Sequence, residues 1–197
     1  TQFSDELGRV RLSKTLEDAS TQTATNETDG IKVQTRYKAT GTCTFGSGLT
    51  CSSQVTSNPY RANYSYNATG ETTMGWTISQ TRANGRHSEV ETFGGVALPK
   101  PFVTSGFNTA STGVVQTDID GDATTVTDRA SKVRRSITNG LGQLVRVDEP
   151  NSSNQLDVSG NPYQPTAYTY DVLNNLLTVT QASNTTAQCG GASSCSQ

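Results

Sequence analysis

The stretch Tyr168-Thr169-Tyr170-Asp171-Val172-Leu173-Asn174-Asn175-Leu176 decides how this chain is read. Aromatic residues lead into Asp171, whose short side chain starts a turn, and Asn174 tolerates the positive φ that the turn needs before Leu176 resumes a strand. Degenerate copies recur along the chain. Tyr64-Ser65-Tyr66-Asn67-Ala68-Thr69-Gly70 keeps both aromatics and the glycine, and Thr138-Asn139-Gly140-Leu141-Gly142-Gln143-Leu144 keeps the amide, the leucine and the glycine. Tyr37-Lys38-Ala39-Thr40-Gly41 keeps the tyrosine and the glycine, and Ser4-Asp5-Glu6-Leu7-Gly8-Arg9-Val10 opens the chain with the acidic turn. Weaker echoes lie at Thr127-Asp128 to Val133, at Asp118 to Asp122, and at Ala83-Asn84-Gly85-Arg86, where the turn is contracted.

A unit that recurs and cannot bury its own apolar face must stack on its neighbours. The flanks support strands: Gln143 to Val147 reads Gln-Leu-Val-Arg-Val, and Leu176 to Thr180 reads Leu-Leu-Thr-Val-Thr, both rich in apolar or β-branched residues. The expectation is an all-β chain of serial antiparallel hairpins, a spiral or elongated sheet module. Tyr37, Tyr64, Tyr66, Tyr168 and Tyr170 are the expected stacking residues, and Gly8, Gly41, Gly70, Gly142 and Asn174 the expected turn residues. If Tyr170 is buried, its truncation to Ala costs about 3 kcal/mol.

These motifs resemble the RHS or YD-repeat family, whose unit is roughly Tyr-Asp-x-x-Gly-Arg-Leu followed by an alternating strand. Tyr170-Asp171-Val172-Leu173-Asn174-Asn175-Leu176 is the closest copy, with Asn174 where the family usually has glycine. Ser57-Asn58-Pro59-Tyr60-Arg61, Gly75-Trp76-Thr77, Glu91-Thr92-Phe93-Gly94-Gly95 and Val126-Thr127-Asp128 through Arg134-Arg135 resemble connecting segments of bacterial members. The resemblance implies a β-ribbon that spirals into a shell, as in the cocoons around polymorphic toxins and the stalks of teneurin-like adhesion proteins. No segment resembles the plug-and-autoprotease region that closes such shells, so a fragment or a small stand-alone derivative is expected rather than a complete cocoon. The repeat module is expected over residues 1-182, with a disulfide-loop insertion at 42-53, followed by a Cys/Gly/Ser-rich tail over 183-197.

Composition fits thin layers better than a thick core. Only 31% of the 197 residues are hydrophobic, and mean hydropathy is -0.54. The net charge of -2 is too small for the high-charge signature of disorder. It also leaves no electrostatic footprint for nucleic acid. The basic cluster Lys132, Arg134 and Arg135 reads as a solvated strand face. No apolar run reaches the ~18 residues of a membrane-spanning helix, and no signal peptide begins at Thr1, so an exported protein would be a mature form or an excised part. Membrane insertion is not expected.

Four cysteines fall as two local pairs in polar, Gly-rich loops, Cys43 with Cys51 and Cys189 with Cys195. Even number and close spacing point to two short disulfides in an oxidising compartment, hence to a secreted or cell-surface protein. A zinc site would want Cys-x-x-Cys spacing and nearby histidine, neither of which is present.

Chemistry has few candidates. The single histidine, His87, follows the contracted turn and reads as an exposed imidazole. Asp118, Asp120 and Asp122 open like an EF-hand loop, but Ala123 stands at the sharp-turn glycine and Arg129 at the bidentate glutamate, so calcium is a weak candidate and no cofactor is expected. The sequons at Asn26, Asn63, Asn67, Asn151 and Asn184 matter only in a cell that glycosylates them. Trp76 reads as packing rather than as a sugar platform. The resulting expectation is a non-catalytic structural module of a secreted bacterial protein, a shell wall or a self-assembling fibre subunit. Its partners would be further repeats or copies of itself, an enclosed toxin cargo, or a cell-surface partner. The alternative is an adhesin that recognises glycan or protein through loops such as 39-53 and 99-112.

Overall fold

A computed structural model describes residues 1–18, 20–26, 29–61, 74–158, 161–183 and 195–196. Among them the fold is all-β, without helices, and most strands pair antiparallel with their neighbours in sequence. The chain divides into two compact units, Thr1–Val114 and Val115–Gln197.

In the first unit β1 (Gln2–Ser4), β2 (Val10–Thr15), β3 (Ile31–Thr42), β4 (Thr50–Ser57), β5 (Gly75–Arg82) and β6 (His87–Gly94) follow one another across a meander. Period-2 burial sets its inner face. Along β4, Cys51, Ser53, Val55 and Ser57 are buried while Thr50, Ser52 and Gln54 face out, as alternation on a half-covered sheet requires. The apolar core is Val55, Tyr60, Met74, Trp76, Ile78 and Phe93, flanked by Val96, Leu98 and Phe102. Trp76 belongs to that core, and its indole N–H donates to the Val96 carbonyl at 3.1 Å.

The rest of the inner face is polar and hydrogen-bonded. Gln80 donates to Ser53 Oγ at 2.9 Å and accepts from Thr44. Gln34 donates to the Tyr60 hydroxyl. Lys14 is buried yet donates to the carbonyls of Thr23, at 2.7 Å, and Asn26, which pins the loop between β2 and β3. The low apolar content is thus met by polar side chains that hydrogen-bond to one another and to the backbone.

The Cys43–Cys51 disulfide clips the β3–β4 hairpin, with the Cα atoms 5.1 Å apart. His87 departs from the exposed position expected of it. Its ring packs on Phe45, centroids 4.3 Å apart, and its Nε2 lies 3.7 Å from Glu89 Oε1.

The second unit continues through β7 (Ser111–Asp120), whose latter half pairs with β8 (Ala123–Thr127), then β9 (Val133–Thr138), β10 (Leu144–Glu149), β13 (Gln164–Tyr170), β14 (Leu176–Ser183) and the short β15 (Cys195–Ser196). A small ladder of β11 (Asp157–Val158) with β12 (Asn161–Pro162) lies in the β10–β13 connection. At this unit's centre a carboxylate stands where an apolar side chain would be expected. Asp148 is fully buried between Arg135, 2.8 Å from its Oδ2, and Arg146, 2.9 Å from its Oδ1. The Arg146 Nε contact is off the hydrogen-bonding angle and is ionic, whereas Arg146 also donates through its terminal nitrogen to Oδ2 at 3.2 Å. Arg135 reaches Asp157 as well, at 3.1 Å. Burial works against the Arg135 charge, but the two carboxylates outweigh it and raise its pKa above the ordinary value. The basic cluster is therefore not one solvated face: Arg134 is exposed beside Glu149, while Arg135 turns inward.

Candidate functional site: repeat turns and tyrosine locks

One turn geometry recurs at Asp5, Asp128, Asn139, Asn151 and Asp171. In each, Oδ1 of the Asp or Asn accepts the backbone N–H groups two and four residues on, at 2.8 to 3.0 Å. The backbone N–H of the leading residue donates to the carbonyl four on, and the N–H three on donates back to the leading carbonyl. The residue three positions on always has positive φ: Gly8 at 77°, Ser131 at 59°, Gly142 at 78°, Asn154 at 61° and Asn174 at 68°. Side chain and backbone together satisfy the polar groups of a loop that no strand could pair, which is why a short acceptor must lead each turn.

Three of these turns share a further irregularity. After Asp5 the ladder pairs Ser4 with Val10 and then Phe3 with Leu12. After Asn139 it pairs Thr138 with Leu144 and then Ile137 with Arg146, and after Asp171 Tyr170 with Leu176 and then Thr169 with Thr178. Each has one extra residue, Arg11, Val145 or Leu177, a bulge directly beyond the turn. The Asp128 hairpin has none, since Thr127 faces Val133 and Val126 faces Arg134.

The closing carbonyl before the bulge receives a tyrosine hydroxyl from the next strand. Tyr37 on β3 donates to Val10 at 3.0 Å, and Tyr170 on β13 donates to Leu144 at 2.9 Å. The Arg9 guanidinium also lies over the Tyr37 ring, 4.5 Å from its centroid. These two tyrosines therefore couple strands through the phenol as much as through the ring. Tyr168 is half-buried, opposite Val179.

Side chains also tie turn to turn. Gln143 donates to Asn174 Oδ1 at 2.5 Å. Asn154 accepts from Val133 N–H at 3.1 Å and donates to the Ser131 carbonyl. An asparagine at the positive-φ position can reach a neighbouring turn, which glycine cannot, and this gives the asparagine at position 174 a physical role. The turns of Asp5, Asn139 and Asp171 also expose a leucine two residues on: Leu7 at 76%, Leu141 at 84% and Leu173 at 78%.

One expected turn residue is corrected. Gly41 is not a turn residue but lies inside β3 at a register shift, where a Cβ would come 2.9 Å from Lys38 Cε. Its bareness makes room for the Lys38 side chain, which crosses to the Pro101 carbonyl at 3.1 Å. The weak calcium candidate, Asp118, Asp120 and Asp122, lies at the β7–β8 hairpin. Asp118 and Asp120 lie along β7, Gly121 and Asp122 make a two-residue hairpin loop, and successive same-face positions of the strand are about 7 Å apart. Among the described residues no group of three or more His, Cys, Asp or Glu is placed to hold a metal ion. Tyr64, Tyr66, Gly70 and Cys189 lie outside the described residues, as does the side chain of Cys195.

Sequence reasoning missed the Asn151 turn, visible only as a sequon, although Asn151-Ser152-Ser153-Asn154 carries the required acceptor and positive-φ residue at the right spacing. A polar cleft of about 270 Å³ lies on the first unit's outer face, lined among others by Arg9, Tyr37, Lys38, Ser52, Gln54 and Thr81. No described helix is long and apolar enough to cross a membrane. Set against known proteins, the chain matches no family model, no curated protein and no solved structure.

Proposed function

We propose that this chain is a non-catalytic structural repeat module of RHS/YD type from a secreted or cell-surface bacterial protein, working as shell wall or as the subunit of an extracellular fibre. The observation that supports it is the recurring unit itself: one Asx turn, one bulge and one tyrosine lock, used again in different parts of the chain. Residues invested in identical turns and interstrand locks serve extension and rigidity. The Cys43–Cys51 disulfide fits an oxidising environment, and an extracellular location accords with it. The test is electron microscopy of the native, undigested material together with its intact mass. Regular fibres of chains near 20.9 kDa identify a fibre subunit. Hollow particles holding a longer chain identify a shell wall, with a toxin or other cargo inside, and a monodisperse monomer at high concentration overturns both.

The polar cleft at Arg9, Tyr37 and Lys38 favours a second reading, an adhesin that binds an anionic glycan or partner. Lys38 and the Asp5-paired Arg9, beside an aromatic ring and serine hydroxyls, suit a sulfated or carboxylated sugar. Glycan-array binding that is lost in Lys38→Ala supports this reading, and an array without binding removes it.

A further inference from the structure

Both tyrosine locks obey one register rule. Tyr37 stands three residues beyond Gln34, which pairs with Leu12, and its hydroxyl reaches the carbonyl of Val10, two residues before Leu12. Tyr170 stands three residues beyond Ala167, which pairs with Arg146, and its hydroxyl reaches the carbonyl of Leu144, two residues before Arg146. Each receiving carbonyl closes an Asx turn and precedes a bulge. The Asp171 hairpin has the same turn and the same bulge, with Leu176 in the receiving position. No tyrosine among the described residues reaches the Leu176 carbonyl.

Strand β14 differs from its counterpart in one more respect. On β10 every residue is buried or half-buried, whereas Leu176 to Gln181 are all exposed, including Leu176 at 53%, Leu177 at 62% and Val179 at 51%. Among the described residues its outer edge pairs only at Ala182 and Ser183, with β15. An apolar strand with an open edge is a template for another strand.

The geometry points to β14 as the acceptor edge for one more strand of the same kind: antiparallel, with a tyrosine three positions beyond the residue opposite Thr178. The partner is thus a further repeat hairpin whose strand carries a tyrosine at that register position, not any β-strand. The inference deepens the structural-module reading and rests on it. A second copy docking through its own β1 does not meet the rule, because Gln2–Ser4 carries no tyrosine. Such pairing would leave the Leu176 carbonyl without its donor.

The test uses the full-length protein and an isotope-labelled hairpin peptide that copies Gln164–Ser183, which presents Tyr170 ahead of Asp171. A second peptide, cyclised through its ends, removes dependence on the free hairpin's own folding. Saturable binding is expected, with slowed amide exchange over Leu176–Gln181 read by mass spectrometry. The peptide carrying Tyr170→Phe is expected to bind about fivefold more weakly, the equivalent of one hydrogen bond. No slowing with either the linear or the cyclic peptide, or equal affinity of the Tyr and Phe versions, overturns the inference. Because particles are assessed separately, regular particles with a silent β14 remove the acceptor alone. Peptide binding by a chain that never assembles removes the wall-or-fibre reading and leaves the acceptor standing.

Discussion

Replacing Tyr170 by Phe keeps the ring and deletes only the hydroxyl that reaches Leu144 at 2.9 Å. The Leu144 carbonyl then loses a donor at the point where the bulge interrupts the ladder. A neutral hydrogen bond contributes about 1 kcal/mol net, and Leu144 is half-buried, so water can recover part of the loss. The expected cost is about 1 kcal/mol, equivalent to about 5 °C in the melting midpoint of a unit of this size. The control is Tyr168→Phe. Tyr168 lies two residues away and is likewise half-buried, but its hydroxyl has no partner among the described residues, so an unchanged midpoint is expected. Truncation of Tyr170 to Ala adds the lost ring contacts. Since Tyr170 is half-buried rather than buried, the total falls below the 3 kcal/mol of a fully buried aromatic, at about 2 kcal/mol. Thermal unfolding by near-ultraviolet circular dichroism reads all three variants. Equal loss in the two Phe variants, or none in Tyr170→Phe, would refute the lock.

Asn139→Ala removes an acceptor for the Leu141 and Gln143 N–H groups, both at 3.0 Å, and is expected to cost about 1 kcal/mol in denaturant unfolding, as for a lost helix cap. The Asp171 carboxyl is held below its ordinary pKa, first by the Asn175 side-chain amide, then by the Asn175 and Leu173 backbone N–H groups, against a burial penalty. Its folded pKa is thus below its unfolded one, so its stabilisation is fully present above the unfolded value and disappears as pH falls through the folded value. Asp171→Asn should therefore flatten the acid limb of the stability profile; an unaltered limb would count against this. Reducing the Cys43–Cys51 bond, which closes a loop with a sequence separation of 8, should destabilise the first unit by about 2.5 kcal/mol, measured as the midpoint shift between oxidised protein and the Cys43→Ser, Cys51→Ser double variant. Asp148→Ala leaves Arg135 and Arg146 facing each other without their carboxylate. Because both arginines are partly exposed, at 22% and 37%, the expected loss is about 3 kcal/mol, the low end for a broken buried pair. A loss below 1 kcal/mol would show that solvent already screens the site.

The turns were the most legible part of the fold because their chemistry is local. A short side-chain acceptor, a residue that tolerates positive φ three places on, and a strand-forming flank all lie within a few residues, as at Asp5, Asn139 and Asp171. The same locality explains the error at Gly41. Tyr37 and Gly41 carry the right letters, but neither Lys38 nor Ala39 supplies the acceptor that leads a turn, and β3 runs straight through. Asn151 was overlooked for the opposite reason: it has the turn chemistry but no aromatic ahead of it, only Pro150. The inward course of Arg135 and the packing of His87 on Phe45 depend on partners far along the chain, and neighbouring letters carry no trace of them.

The sequence by itself determined that this is an all-β chain of serial antiparallel hairpins, and where most of its reversals fall, because period-2 alternation and Asx turn chemistry act over a handful of residues. It also determined the Cys43–Cys51 clip, since two cysteines on facing ends of one short loop meet once the hairpin closes. Only the tertiary structure decided which tyrosines act through their hydroxyls, because that depends on the register between strands and on a bulge that shifts one carbonyl to meet Tyr37 or Tyr170. It likewise decided that Asp148 is buried between two arginines and that Leu176, Leu177 and Val179 of β14 are exposed. Those outcomes depend on which strands lie side by side, and a residue's own neighbours in sequence do not carry that information.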